Sequence, residues 1–172
     1  VKTLFDQGCH LVILACNTAS AKALRTIQQN DLPKIAPEKR VLGVIRPCAE
    51  MINAFSTTKH IGVLGTSGTV KSKSYVLEIE KLHPYIAVSQ EACPMWVPLV
   101  EDNTFNTSGG EFFIEHNLAS ILSKDPQIDT LILGCTHYPI LIEQIRKYVP
   151  DSVNIIAQGE IVADKLVDYL KR

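Results

Sequence analysis

The chain carries little that would tie it to a large charged or apolar partner. Aromatic residues make up only 6% of its 172 residues, which leaves no platform for stacking nucleic-acid bases. Lys plus Arg number 17 against 18 Asp plus Glu, a formal net charge of −1 at pH 7. That balance gives no electrostatic footprint for nucleic acid or an anionic membrane. No apolar run approaches the roughly 18 residues that span a bilayer. No C-x-x-C or H-E-x-x-H spacing marks a metal site. The cysteines number 5, an odd count that argues against a disulfide framework. With no secretory pattern in view, the expected compartment is reducing and cytoplasmic. The expected partner is a small molecule.

Against these absences stand two segments that nearly repeat each other. Leu11-Val12-Ile13-Leu14-Ala15-Cys16-Asn17-Thr18 is an apolar run ending in a cysteine and small polar residues. Thr130-Leu131-Ile132-Leu133-Gly134-Cys135-Thr136-His137 has the same form. Such runs suit strands of a parallel sheet covered on both faces. Ligands of these sheets bind beyond the carboxyl ends of the strands. A lone cysteine after an apolar run is commonly just a small buried hydrophobe. Packing alone gives no reason to repeat it with polar neighbours at two strand ends.

The rest of the chain alternates strand and helix. Strands are expected at 11–15, 41–45, 60–64, 86–89, 130–133 and 153–157, with helical stretches between most of them. Gly8 should stop an opening helix. Asp31 to Lys39, with two prolines, reads as a linker between domains, and Ala92 to Val100, with Pro94 and Pro98, as a loop. Gly65-Thr66-Ser67-Gly68-Thr69 reads as a tight turn suited to a carboxylate; it lacks the P-loop and dinucleotide spacings. The pattern implies an α/β protein with a mostly parallel, doubly wound sheet. The expected division is a partial first domain from 1–36 and 151–172, and a second domain over 41–150. The chain opens without Met, in what reads as mid-helix. It is therefore expected to be a piece of something longer, with an incomplete first domain and no turnover by itself.

Two thiols facing one carbon suggest inversion by proton transfer. One thiolate takes a proton from one face, and the other thiol delivers one to the opposite face. Both cysteines precede expected helices, whose N-terminal dipoles favour thiolate. His137 stands two residues beyond Cys135, able to exchange a proton with it or simply to bond a backbone carbonyl. Asn17, Thr18 and Thr136 supply neutral donors for carboxylate oxygens, with helix capping as the plain alternative for the threonines. A zinc site from Cys16, Cys135 and His137 has no supporting spacing.

The residues Ala15-Cys16-Asn17-Thr18-Ala19-Ser20 and Gly134-Cys135-Thr136-His137-Tyr138-Pro139 resemble the two signature motifs of the glutamate racemases, in the aspartate/glutamate racemase family. Ala92-Cys93-Pro94, Val97-Pro98-Leu99-Val100-Glu101 and Gly62-Val63-Leu64-Gly65-Thr66 also look like that family. The resemblance implies two α/β domains related by a pseudo-twofold axis, with the substrate between them. It implies racemisation of glutamate without cofactor or metal, making D-glutamate for peptidoglycan and hence for the cell wall and cell shape. Cys16 and Cys135 would be the acid/base pair, and Asn17, Thr18, Thr136 and His137 would contact substrate or assist the thiols. Glu101 matches an acidic residue near the second thiol. A homodimer is compatible with the resemblance.

The sequence also departs from the family. An Asp-Ser-Gly strand and a Pro-Tyr-Gly loop before the first cysteine are absent. Ala157-Gln158-Gly159 stands where Asp-Ser-Gly-like residues are common, and Cys48 where a glycine often follows proline. The competing readings are a non-catalytic racemase-like module that binds an acidic ligand or partner, a racemase of aspartate, and a thiol hydrolase using Cys135 and His137.

Overall fold

The computed structural model describes residues 1–171. Its larger sheet has four parallel strands in the order β4-β3-β5-β6: β3 (His60–Gly65), β4 (Ala87–Ala92), β5 (Thr130–Gly134) and β6 (Asn154–Ala157). β5 is buried at every position, and β3 at all but its first. That burial accounts for their continuous apolar character. The central pairing sets Gly65 beside Gly134, so both chains leave the sheet at the same level.

Helices cover both faces. On one face α7 (Trp96–Glu101), α8 (Ser108–Lys124) and α9 (Ile142–Arg146) close a core around Trp96, Leu118, Ile121, Leu131 and Tyr138. On the other, α4 (Ile45–Met51), α6 (Ser74–Leu82) and α10 (Gln158–Leu170) close a core around Ile52, Val63, Tyr75, Ile79 and Ile132. This is the doubly wound arrangement that the alternating pattern implies. α8 starts at Thr107, whose hydroxyl accepts the Gly110 N–H at 3.2 Å. At Gly110 a Cβ would lie 2.5 Å from the Thr104 carbonyl oxygen, so the turn into the helix requires glycine.

A second, two-stranded parallel sheet pairs β1 (Leu11–Leu14) with β2 (Arg40–Gly43). One face rests on Phe5, Leu32 and Ala36; Phe5 belongs to α1 (Lys2–Asp6) and Leu32 to α3 (Leu32–Ile35). α2 (Asn17–Thr26) packs close to β2, where a Cβ on Gly43 would fall 2.6 Å from Leu24 Cδ2.

Five expectations need correction. The strand near 41 pairs with β1, not with the larger sheet, and the closing strand β6 pairs with β5, not with β1. The division at 36/41 and 150/151 therefore does not follow the sheets: Arg40–Gly43 is the natural parallel neighbour of β1, and the Asp129 and β6 backbones are already in register beside β5. The expected linker contains α3, because Pro33 occupies its first turn, where a missing N–H leaves no bond unmade. The expected loop at 92–100 contains α7, with Pro98 as its third residue for the same reason. Finally, the segment after Cys135 is a turn and then a single 3₁₀ turn, Tyr138–Leu141, not an α-helix start.

Candidate active site

Cys16 is the N-cap of α2, in extended conformation (φ −98°, ψ 126°), and its thiol is exposed. Its carbonyl accepts the first-turn bond from Ser20 N–H at 2.9 Å. The dipole of a ten-residue helix is thus aimed at this end of β1.

Cys135 directly follows the last residue of β5 and is buried. Gly134 permits that exit: a Cβ there would lie 2.9 Å from the Leu64 carbonyl oxygen and 3.2 Å from Tyr75. Burial pushes the Cys135 thiol above its ordinary value, and the neighbouring Cys16 adds to this. The backbone N–H groups of His137 and Thr136 act in the opposite direction without cancelling it. At neutral pH Cys135 is therefore held as the protonated thiol, and it needs a base to become a nucleophile or a proton acceptor.

His137 stands beside that thiol. Its Nδ1 lies 3.8 Å from Cys135 Sγ, and its Nε2 bonds Glu101 Oε1, at the end of α7. In the tautomer whose Nε2–H donates to that carboxylate, Nδ1 is left as an acceptor facing the thiol. Glu101 fixes the tautomer, and an imidazolium formed by taking the thiol proton would sit against its charge.

The two strand ends meet at one cavity of about 210 Å³. Cys16, Asn17 and Thr18 line it from α2, and Cys135, Thr136 and His137 from the turn after β5. Thr66 and Val97 complete the wall. Such a volume is below the roughly 300–1,000 Å³ of sites for drug-sized ligands, and suits a small metabolite. Glu101 is not a wall residue; it reaches the cavity through His137.

The threonines behave differently from helix caps. Thr18 Oγ1 lies 2.8 Å from Thr66 Oγ1 and 3.3 Å from Thr69 Oγ1, bridging α2 to the turn that opens α5 (Ser67–Ser72). Thr66 itself caps α5, accepting the Thr69 N–H at 3.2 Å. The Gly65-to-Thr69 turn, singled out in the sequence for carboxylates, thus contributes Thr66 to the wall. Thr136 is exposed on the opposite side. Asn17 is only 2% exposed, and its amide is engaged by Gln158 and Tyr75. Neither partner was legible beforehand, since each lies in a different βα unit and carries no motif.

A larger cavity of about 680 Å³ opens between α2, α4, α6 and α10. Its walls carry Arg25, Arg46, Glu50 and Glu78, largely paired with one another, for example Arg46 to Glu50 at 3.0 Å and Arg25 to Glu78 at 3.6 Å. It has no thiol or imidazole, so size alone does not locate the chemistry. Among the described residues, no three His, Cys, Asp or Glu side chains are grouped to hold a metal ion, and no helix is long and apolar enough to cross a membrane.

Comparison with known proteins points to one family. The sequence profile of the Asp/Glu/Hydantoin racemases matches residues 1–166. A glutamate racemase of Persephonella marina is 43% identical over 163 residues, covering 93% of this chain and 58% of that protein. The crystal structure of a glutamate racemase isoform from Bacillus anthracis superposes with a TM-score of 0.87 at 34% identity, covering 98% of this chain and 61% of that one. The structure of Francisella tularensis glutamate racemase in complex with D-glutamate superposes with a TM-score of 0.84 at 32% identity, covering 98% of this chain and 60% of that one. The chain spans about three-fifths of the length of these relatives.

Proposed function

The chain belongs to the Asp/Glu/Hydantoin racemase family, and on that premise we propose that it interconverts L- and D-glutamate by proton transfer between two thiols. The observation that carries this reading is that Cys16 and Cys135, from two different sheets, line one small cavity. A substrate held there would have its Cα between the sulfurs. One thiolate takes the α-proton, leaving a planar carbanion, and the opposite thiol returns a proton to the other face. Each thiol ends the cycle in the protonation state in which the other began, so the reverse reaction runs by the same groups.

The two sides are built differently. Cys16 sits exposed at a helix N-terminus. Cys135 is buried and relies on His137, which relies on Glu101. The hydroxyls of Thr18, Thr66 and Thr136, which line the cavity, would donate to the carboxylate oxygens of the substrate. The substrate would lie between a unit built on β1–β2 and one built on the larger sheet. The thiols must stay reduced, which fits a cytoplasmic enzyme, and D-glutamate would supply peptidoglycan synthesis. Glutamate is favoured over aspartate by the motif around each cysteine and by the relatives' names. We further propose that the reaction needs no cofactor. A homodimer is compatible with the reading.

One feature favours a second reading. Glu101, His137 and Cys135 form an acid–base–nucleophile line of the kind a thiol hydrolase uses. That reading leaves Cys16 idle. The two separate in deuterated water: incubation with either enantiomer of glutamate, followed by circular dichroism and by NMR of the Cα position, should show inversion with deuterium gained at Cα. Cleavage of thiol-sensitive esters without any exchange at Cα would support the hydrolase and overturn the racemase.

A further inference from the structure

Behind the cavity wall, Asn17, Gln158 and Tyr75 close a ring of hydrogen bonds. Asn17 Nδ2 donates to Gln158 Oε1 at 2.7 Å. Gln158 Nε2 donates to the Tyr75 hydroxyl oxygen. The Tyr75 hydroxyl donates to Asn17 Oδ1 at 2.7 Å. Every donor runs the same way round, and all three side chains are buried. Gln158 Nε2 also reaches the Val44 carbonyl at 3.3 Å, which orients the glutamine independently. Turning Asn17 over alone would set its oxygen against Gln158 Oε1, turning Gln158 over alone would set its nitrogen against Asn17 Nδ2, and turning both would set Gln158 Oε1 against the Val44 carbonyl, so the ring and that contact together select one orientation of each amide.

The three residues come from the first turns of α2, α6 and α10. Asn17 immediately follows Cys16. The ring therefore clamps the backbone from which the Cys16 thiol projects, and it does so from the larger sheet's helices.

We propose that Tyr75 and Gln158 are positioning residues for the Cys16 wall: they hold the Asn17 amide in one orientation and keep the first thiol aimed into the cavity. Their importance for catalysis rests on Cys16 being one of the two proton-transfer groups. The positioning itself is open to a test that needs no turnover. If the ring served only to hold the fold together, its loss would lower the melting temperature and leave the thiol's reactivity unchanged.

The experiment alkylates the full 172-residue chain with iodoacetamide across a pH series and follows each cysteine peptide by mass spectrometry. Half-buried Cys9, outside the ring, is the internal reference. Tyr75→Phe removes one oxygen and no carbon; Gln158→Met keeps length and loses both polar atoms. Both are expected to change the Cys16 alkylation rate by about threefold or more while Cys9 keeps its rate. In the racemisation assay the same variants should lose about tenfold in kcat with a smaller change in KM. A Cys16 rate that stays within that threefold in folded Tyr75→Phe overturns the proposal, and this variant decides alone should Gln158→Met fail to fold. The alkylation result decides the positioning role by itself, whether or not the 172-residue chain turns over glutamate, so failure of this role and failure of the proposed function are distinguishable.

Discussion

His137 Nδ1 lies 3.8 Å from the sulfur of Cys135, two residues earlier in the chain. The turn after β5 brings the two together, and Glu101 on α7 keeps the ring from swinging away. A thiol raised by burial is thereby given a base within reach.

His137→Asn should lower kcat roughly a hundredfold, the range typical of a lost general acid–base group. Glu101→Gln should act in the same direction and less strongly, because the ring remains but its charge partner does not. The individual kcat values for the two enantiomers need not change equally, whereas the ratio of kcat/KM in the two directions is fixed by the equilibrium. Because the Cys135 thiol sits above its ordinary value, the rate in the direction that starts from its thiolate should still be rising at pH 9. Rate constants unaffected in both variants would remove His137 and Glu101 from the mechanism.

Cys16→Ser and Cys135→Ser should each lose racemisation by roughly 10²- to 10⁴-fold or more, since inversion needs a proton group on both faces. Exchange is more discriminating than turnover. In deuterated water each variant should still wash deuterium into Cα of one enantiomer without inverting it, and the two variants should choose opposite enantiomers. Retention of near-normal inversion by either one would be incompatible with a two-thiol reaction.

The sequence made the strand-end cysteines, the parallel sheet and most helices visible because each rests on local pattern: apolar runs of strand length, small residues after them, amphipathic spacing. It misled where local signals are ambiguous. Prolines at 33 and 98 read as breakers, yet both occupy first turns where no N–H is needed. Partner choice among strands is also non-local. Nothing in Arg40–Gly43 says that its neighbour is β1, or in Asn154–Ala157 that its neighbour is β5. The ring around Asn17 joins residues from three βα units, with Asn17 and Gln158 separated by 141 positions, beyond any pattern argument.

Asp129 should control acid stability. It stands just before β5 and, although partial burial pushes its carboxyl up, bonds from the Ser56 hydroxyl at 2.6 Å, from Thr58 N–H at 2.8 Å, and from Thr57 N–H and hydroxyl hold it well below the usual carboxylate range. A depressed folded value contributes stability above the unfolded value of about 3.9, and that stability is lost as pH falls from there through the folded value. Asp129→Asn should therefore cost roughly 1–3 kcal/mol at neutral pH. The gap from wild type should narrow as denaturation is repeated below about pH 4. A gap independent of pH would mean that the charge contributes nothing.

Gly134→Ala offers a test of how tightly the second thiol is held. Gly134 ends the most buried strand of the sheet, one residue before Cys135. An added Cβ would meet the Leu64 carbonyl oxygen at 2.9 Å and Tyr75 Cε2 at 3.2 Å. The first is backbone of the neighbouring strand and cannot rotate aside, and the second belongs to a ring buried in the core. The strand end must shift, at a cost of roughly 1–3 kcal/mol, the range for overpacking a core. That shift falls on Cys135 and, through Tyr75, on the ring that holds Asn17. Activity should consequently drop further than stability, because misplacing a reacting group by about 1 Å can cost roughly a hundredfold in rate. Thermal melting gives the first quantity and initial racemisation rates measured well below the melting temperature give the second. A variant that melts several degrees lower while keeping wild-type kcat would show that the strand end yields without moving the thiol.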